Sequence, residues 1–183
     1  MKRILAGLLS CVALHAAAAN ELEAGLSNDS VNLDLTLNSQ ANNLDLNMGY
    51  LYHEGGRHLL AAGVHARGQT ALGNLPATVT LGGLLHHVSD SPFEGSALAL
   101  GGSAHVKIPD VPGLGIRGTL YYAPSITSFG DADGLFRLET RVTYRVIRNA
   151  DVFLGYRNIE ADVENGGDFR IDEGLFGGLS LKF

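Results

Sequence analysis

Hydrophobic residues alternate with polar or small residues over most of the chain beyond residue 20. In the segment 134–147, for example, Arg137, Glu139 and Arg141 lie between residues that are mostly apolar. A repeat of two residues is the period of a β-strand, whose successive side chains point to opposite faces. The spacing of an amphipathic helix is not sustained over any comparable length. The pattern therefore predicts an all-β protein.

The alternation divides the chain into ten candidate strands joined by short polar segments. They cover residues 21–27, 31–38, 43–53, 57–67, 75–88, 95–107, 113–124, 134–147, 150–161 and 172–183. An even number of antiparallel strands fits an up-and-down barrel whose two ends lie on the same side of a membrane. A count of eight follows if residues 21–38 lie outside the ring.

A soluble β-sandwich and a membrane barrel both show alternating apolar and polar residues, so strand length and charge have to distinguish them. Many of the predicted strands are eleven residues or longer. That length crosses a bilayer at a tilt and exceeds the roughly five or six residues common in soluble sheets. Full charges in the middle of strands suit a wet or ion-paired lumen. We therefore expect an antiparallel up-and-down transmembrane β-barrel.

The connections are expected to differ in length between the two ends of this barrel. Residues 124–134 and 162–170 predict long acidic loops on one side, and residues 39–42 and 148–149 predict tight turns on the other. Short periplasmic turns with longer outer loops are typical of outer-membrane barrels.

The start of the chain has the layout of an export signal. Two basic residues, an apolar run over residues 4–14 and small residues up to Ala19 predict a secretory signal peptide, residues 1–19, followed by one domain, residues 20–183. A lipoprotein cleavage box ending at Cys11 is the alternative. We expect an outer-membrane location in a Gram-negative bacterium.

The last strand carries two features of such proteins. Leu179, Leu181 and Phe183 alternate in the manner of the C-terminal signal that barrel assembly machinery recognises in Gram-negative barrels. The first and last strands must pair, since an open sheet edge in lipid leaves backbone groups unsatisfied. We therefore expect a carboxylate at Glu21 or Glu23 to lie near Lys182.

The expected partners follow from this location and from the charge of the chain. The net charge of −6 argues against nucleic acid, whose phosphates require a basic face. We expect contact with outer-membrane lipids and lipopolysaccharide, assembly by the barrel machinery, and a monomer.

Four inward charges predict a closed lumen. Strand registers estimated from the turns place Glu139 opposite Arg157 and Arg141 opposite Arg117. The smallest barrels are just wide enough to be filled by side chains. We expect Glu139 to bridge two or more arginines and to block free diffusion.

A short motif favours a catalytic alternative. His87 and Ser89 share one strand face, and this His-x-Ser pair resembles the active site of PagL-type barrels, which deacylate lipid A. Asp90 or Glu94 supplies the acid in that hypothesis. The other interpretation is a polar strand end that enters a loop.

No cofactor or metal site is predicted. His65, His86 and His105 are assigned to the inward face, without the close ligand spacing of a zinc site. Polar filling of the lumen is the favoured role for these histidines.

The segment "LYYAPSITSFGDADGLFRLETRVTYRVIRNADVFLGYRNIE", residues 120–160, resembles the YfaZ family of outer-membrane proteins. The start "ELEAGLSNDSVNLDL" is similar too. The resemblance implies an outer-membrane barrel and no established activity.

We expect a structural or narrow-channel role without catalysis. The alternatives are a lipid A-modifying enzyme and an adhesin that acts through the outer loops.

Overall fold

The computed structural model describes residues 20–39, 41–90, 93–163 and 167–183. The predicted signal peptide lies outside the described residues. These residues form eleven strands and one short 3-10 helix, Ser125–Thr127. The strands are β1 Glu21–Ser27, β2 Ser30–Ser39, β3 Leu44–His53, β4 Arg57–Leu72, β5 Leu75–Asp90, β6 Phe93–Lys107, β7 Leu114–Ala123, β8 Ser128–Gly130, β9 Ala132–Ile147, β10 Ala150–Val163 and β11 Gly167–Lys182.

The strands close into a ring. Each long strand pairs in antiparallel fashion with its neighbours in sequence, β5 pairs with β6, and β1 pairs with β11. Ten strands make up the ring, and β8 adds a short ladder to β6. The predicted ten-stranded up-and-down barrel is confirmed, and residues 21–38 belong to the ring as β1 and most of β2.

The two ends of the described chain meet at one end of the barrel. The backbone N–H of Asn20 donates to the carbonyl of Phe183 at 2.9 Å, and the N–H of Phe183 donates back at 3.0 Å. We call this the terminal end and the opposite one the distal end. Because the strands run up and down, β1 rises from the terminal end and β11 returns to it.

The outer face of the ring is apolar. Large hydrophobic side chains such as Leu26, Leu100 and Leu175 point outward and are 62–69% exposed. An apolar outer face on a closed ring is typical of barrels that cross a bilayer, where every strand edge must be paired. The outward aromatic residues are Tyr50, Tyr52, Tyr122, Tyr144, Tyr156 and Phe183. Within the described residues, no helix is long and apolar enough to cross a membrane.

The connections differ from the predicted asymmetry. Pairing of β10 with β11 continues to Val163 and Gly167, so the predicted loop over residues 162–170 is wrong. At the terminal end, β4 and β5 pair as far as Leu72 and Leu75, which leaves a tight turn where a longer link was expected. In both places the ladder continues through polar or small residues, whose composition suggested a loop.

The longest distal connection, residues 124–131, contains structure of its own. Pro124 has no backbone N–H and cannot continue the ladder of β7. The chain makes one 3-10 turn, and β8 then pairs with Gly95–Ala97 of β6. The distal part of β6 is therefore paired with β8 beyond the residue at which β7 ends.

A β-bulge interrupts the alternation of β11. Ile159 of β10 lies opposite Asp172, and Glu160 lies opposite Arg170, so Ile171 is the extra residue. Ile171 and Asp172 are consequently both buried, although they are adjacent in sequence. A bulge changes the face to which the following residues point.

Candidate functional site

The distal half of the lumen is filled by an apolar cluster, which we call the distal plug. Its members lie on the inward faces of β3 to β7 and of β9 to β11, near the distal ends of these strands. They are Leu51, Leu59, Leu84, Val88, Ala97, Ala99, Tyr121, Ala123, Leu135, Ile159, Ala161 and Ile171. Close packing of such side chains excludes water from the space between them.

The terminal half of the lumen holds a polar cavity of about 430 Å³, which we call the terminal vestibule. Its lining includes Arg67, Arg117 and Lys182 together with carboxylates such as Glu21 and Asp45. Leu84 and Tyr121 of the plug border it as well. The terminal vestibule thus lies directly beneath the distal plug.

Ion pairs cross the vestibule between strands that are not neighbours. The carboxylate of Glu23 on β1 lies 2.6 Å from the guanidinium of Arg141 on β9 and 3.1 Å from that of Arg117 on β7. Glu139 lies 3.7 Å from Arg141 and 3.3 Å from Arg137. We call these five residues the lumen charge network; the Glu23 contacts join separate walls of the barrel, and the Glu139 contacts link arginines along β9.

The strand registers predicted for the four charged residues are found in the structure, but their ion pairs are different from the expected ones. Glu139 lies opposite Arg157 and Arg117 lies opposite Arg141. Arg157 nevertheless pairs with Asp172, and Arg117 pairs with Glu23. The four predicted charges thus belong to two groups rather than to one.

Arg157 is almost completely buried, at 1% exposure, and its guanidinium is surrounded by acceptors. Its Nε donates to Asp172 Oδ2 at 2.7 Å, and its two terminal nitrogens donate to Asn32 and Ser30, each at 3.1 Å. The same guanidinium lies 4.7 Å from the ring centre of Phe176. This arginine joins β10 to β2 and β11 at the lower border of the plug.

Two inward aromatic rings support the arginines. Arg141 lies 4.5 Å above the ring of Phe153, and the rings of Phe153 and Phe176 are 5.7 Å apart. Glycine at 178 makes room for them, because a Cβ there would lie 2.6 Å from Phe153 and 2.1 Å from the carbonyl of Ala24. Cation–π contacts of this kind are strongest in partly desolvated sites.

A hydrogen-bonded chain also crosses the lumen at the top of the vestibule. The hydroxyl of Tyr121 on β7 lies 2.7 Å from Nε2 of His65 on β4, and His65 Nδ1 lies 2.6 Å from the Asn47 side-chain oxygen. His86 lies above it, fully buried inside the plug. His105 lies 3.3 Å from the Thr143 hydroxyl at the terminal end.

The residues that were expected to pair where β1 closes on β11 have other partners in the structure. Glu21 lies opposite Lys182 in the register of β1 and β11. The ammonium of Lys182 contacts Asp151 of β10, whereas Glu21 accepts a hydrogen bond from Ser180. Glu23 is directed into the lumen charge network. Lys182 therefore finds its carboxylate on the other neighbouring strand.

The residues of the catalytic hypothesis lie on the outer face near the distal end. His87 Nε2 lies 3.8 Å from Glu94 Oε1. Its Nδ1 lies 3.0 Å from the hydroxyl of Ser96 on β6, rather than from that of Ser89. In the described part of the chain, no group of three or more histidine, cysteine, aspartate or glutamate residues is placed to hold a metal ion.

Sequence reasoning missed several members of these groups. Glu23 was assigned to closure alone, because contacts between strands that are not neighbours depend on the width of the barrel. Asp172 was missed although it has the same inward parity as Phe176 and Ser180, so the alternation of the last strand could have indicated it. Ser96 lies on the neighbouring strand, and the register of β5 and β6 that places it opposite His87 could have indicated it.

Comparison with known families gives a match over the whole chain. The family model described as YfaZ precursor matches residues 1–183. No curated protein matches the sequence.

Three solved structures share the general form at low sequence identity. The outer-membrane channel DcaP of Acinetobacter baumannii is 11% identical, with a TM-score of 0.45 over 84% of this chain and 51% of its own. A major outer-membrane protein of Thermus thermophilus is 9% identical, with a TM-score of 0.38 over 92% of this chain and 100% of its own. An anion-selective porin from Comamonas acidovorans is 11% identical, with a TM-score of 0.32 over 84% of this chain and 59% of its own. The chain thus spans about half the length of the DcaP chain.

Proposed function

The chain belongs to the YfaZ family, and from that membership and its closed barrel we propose that it is a structural protein of the outer membrane that conducts no solutes. The two meeting chain ends face the periplasm in this proposal, and the distal end faces outward. The observation that carries it is the distal plug, a cluster of buried apolar side chains that β3 to β7 and β9 to β11 contribute to the distal half of the lumen.

The lumen below the plug supports the same conclusion. Ion pairs from Glu23 to Arg117 and Arg141, and the Tyr121–His65 hydrogen bond, join opposite walls. Open channels are found in barrels of about sixteen strands, whereas small barrels are filled by their own side chains. Water and small solutes enter the terminal vestibule and go no further.

Planar-bilayer recordings test this function. The wild-type protein is expected to give no steady conductance. Combining Leu59→Ala with Leu84→Ala removes two large side chains from the plug and is expected to produce a measurable ion leak. The matched control combines Leu60→Ala with Leu85→Ala, which alters the outward face of the same two strands, and should stay silent. Heat-dependent electrophoretic mobility verifies folding of each variant.

A large and steady wild-type conductance contradicts the proposal and makes the protein a channel. The adhesin hypothesis loses one of its two predicted loops, because residues 162–170 are largely part of the β10–β11 ladder, and keeps the connection after Pro124.

A further inference from the structure

Four polar side chains form a patch on the otherwise apolar outer face of β5 and β6. His87 lies opposite Ser96, and Ser89 lies opposite Glu94. Their neighbours along the strands point the other way, since His86, Val88 and Ala97 are buried in the lumen. All four side chains of the patch therefore face the surroundings of the barrel.

The contacts within this patch have the geometry of a proton relay. The Ser96 hydroxyl lies 3.0 Å from Nδ1 of His87, and the carboxylate of Glu94 lies 3.8 Å from Nε2 of the same ring. A nucleophilic serine requires a base within hydrogen-bond reach, and the base requires a group that orients it from its other nitrogen. The His87 imidazole meets the first requirement, and the Glu94 carboxylate lies on the side of its other nitrogen, within ion-pair distance.

The position of the patch along the barrel axis determines which part of a lipid it can contact. Leu85 and Leu98, the next outward residues toward the terminal end, are 47% and 42% exposed and belong to the apolar outer face. Asp90 ends β5 three positions beyond His87. The patch thus lies at the border between the apolar band and the distal end. In a bilayer, this border is the level at which the ester groups of acyl lipids meet the polar head groups.

We propose that Ser96, His87 and Glu94 form an ester-hydrolase site that acts on acyl esters of membrane lipids in the leaflet at the distal end. Ser96 and His87 are the catalytic residues, and Glu94 is a positioning residue. This inference departs from the expectation of a barrel without catalysis and is independent of the closed lumen.

The reaction balances with water as the second reactant. The Ser96 oxygen attacks the ester carbonyl carbon while His87 takes the hydroxyl proton. The bond from that carbon to the lipid alcohol oxygen breaks, and His87 returns the proton to this leaving alcohol. Water then attacks the acyl-serine, with His87 again accepting and returning a proton. The fatty acid is released and the serine is regenerated.

The test uses the full protein in mixed detergent micelles with one of two substrates, phosphatidylethanolamine or purified lipid A. Free fatty acid is measured by mass spectrometry, and the two arms distinguish a glycerophospholipid from a glycolipid as the source of the ester. We expect release in at least one arm, and Ser96→Ala or His87→Ala should lower kcat by about 100-fold or more. Ser89→Ala is the matched control, because this serine shares the patch without contacting His87 in the structure, and it should retain wild-type activity.

Glu94→Gln tests positioning. It should lower kcat by about tenfold or more, with KM unchanged within about twofold and an altered pH–rate profile. These surface positions leave the lumen untouched, and heat-dependent mobility confirms folding. Absence of fatty acid release in both arms, activity that survives Ser96→Ala, or activity that depends on Ser89 instead, overturns the proposal.

Discussion

At the scale of single residues, Arg157 shows how a full charge is tolerated inside the barrel. Its guanidinium has a carboxylate, an amide oxygen and a hydroxyl around it, together with the face of Phe176. A buried charge with its partners satisfied is stable, whereas removing one partner leaves the other uncompensated.

Replacing Arg157 with leucine should therefore lower the free energy of unfolding by about 3–5 kcal/mol, because Asp172 is left buried without its cation. Urea unfolding in detergent, followed by electrophoretic mobility, measures the loss. Arg170→Leu is the control, since Arg170 is 62% exposed although it contacts Glu160 and Glu173. Its cost should stay below about 1 kcal/mol. Equal losses for the two variants contradict a structural role specific to Arg157.

At the scale of elements, the closure of β1 on β11 has a defined register. Asn20 and Phe183 exchange both backbone hydrogen bonds, so the next pair, Glu21 and Lys182, is not hydrogen-bonded. Such pairs bring their Cα atoms to about 4.5 Å, within the range that a disulfide spans.

Cysteines at positions 21 and 182 should therefore form a disulfide under mild oxidation, visible as altered mobility on a non-reducing gel. Cysteines at positions 23 and 182 are offset diagonally by about 7–8 Å and should link far more slowly. Faster linking of the offset pair would show that the register of the seam is wrong.

The elements were predictable from the sequence because alternation is a local property. The ten strands of the ring, the inward side of Arg137, Glu139 and Arg141, and the register that places Glu139 opposite Arg157 all follow from period two and turn length. The bulge at Ile171 was not predictable, since one extra residue leaves no mark in composition. Partners across the lumen depend on the ring as a whole, which explains why Glu23 was not assigned to its arginines. Asp172 lies on the strand next to Arg157, so the pairing of these two strands could have indicated it.

At the scale of the whole molecule, the lumen is divided into a distal half packed with apolar side chains and a terminal half that holds a polar cavity. The distal plug contains closely packed apolar side chains, whereas the terminal vestibule contains ion pairs and a cavity that water can enter. Local opening is easiest where few apolar contacts resist it and where water is already present.

Amide hydrogen exchange should report this division. We expect slower exchange in the distal part of β9, residues 132–136, than in its terminal part, residues 141–147, because only the latter borders the vestibule. Mass spectrometry of peptides from protein in detergent micelles measures the difference. Leu60→Ala, on the outer face, should preserve the contrast, and uniform exchange along β9 would contradict a divided lumen.

The unequal lengths of β1 and β11 have a consequence for association. Pairing with β1 covers β11 only from Phe176 to Lys182, so residues 167–175 rise above this neighbour as a sheet edge. An unprotected edge is a template on which a foreign strand can add. Here the guanidinium of Arg57 donates to the carbonyl of Arg170 at 2.6 Å, and the exposed charge of Arg170 stands beside it. An incoming strand must displace the Arg57 guanidinium before it can pair with this carbonyl, so this contact opposes strand addition at Arg170.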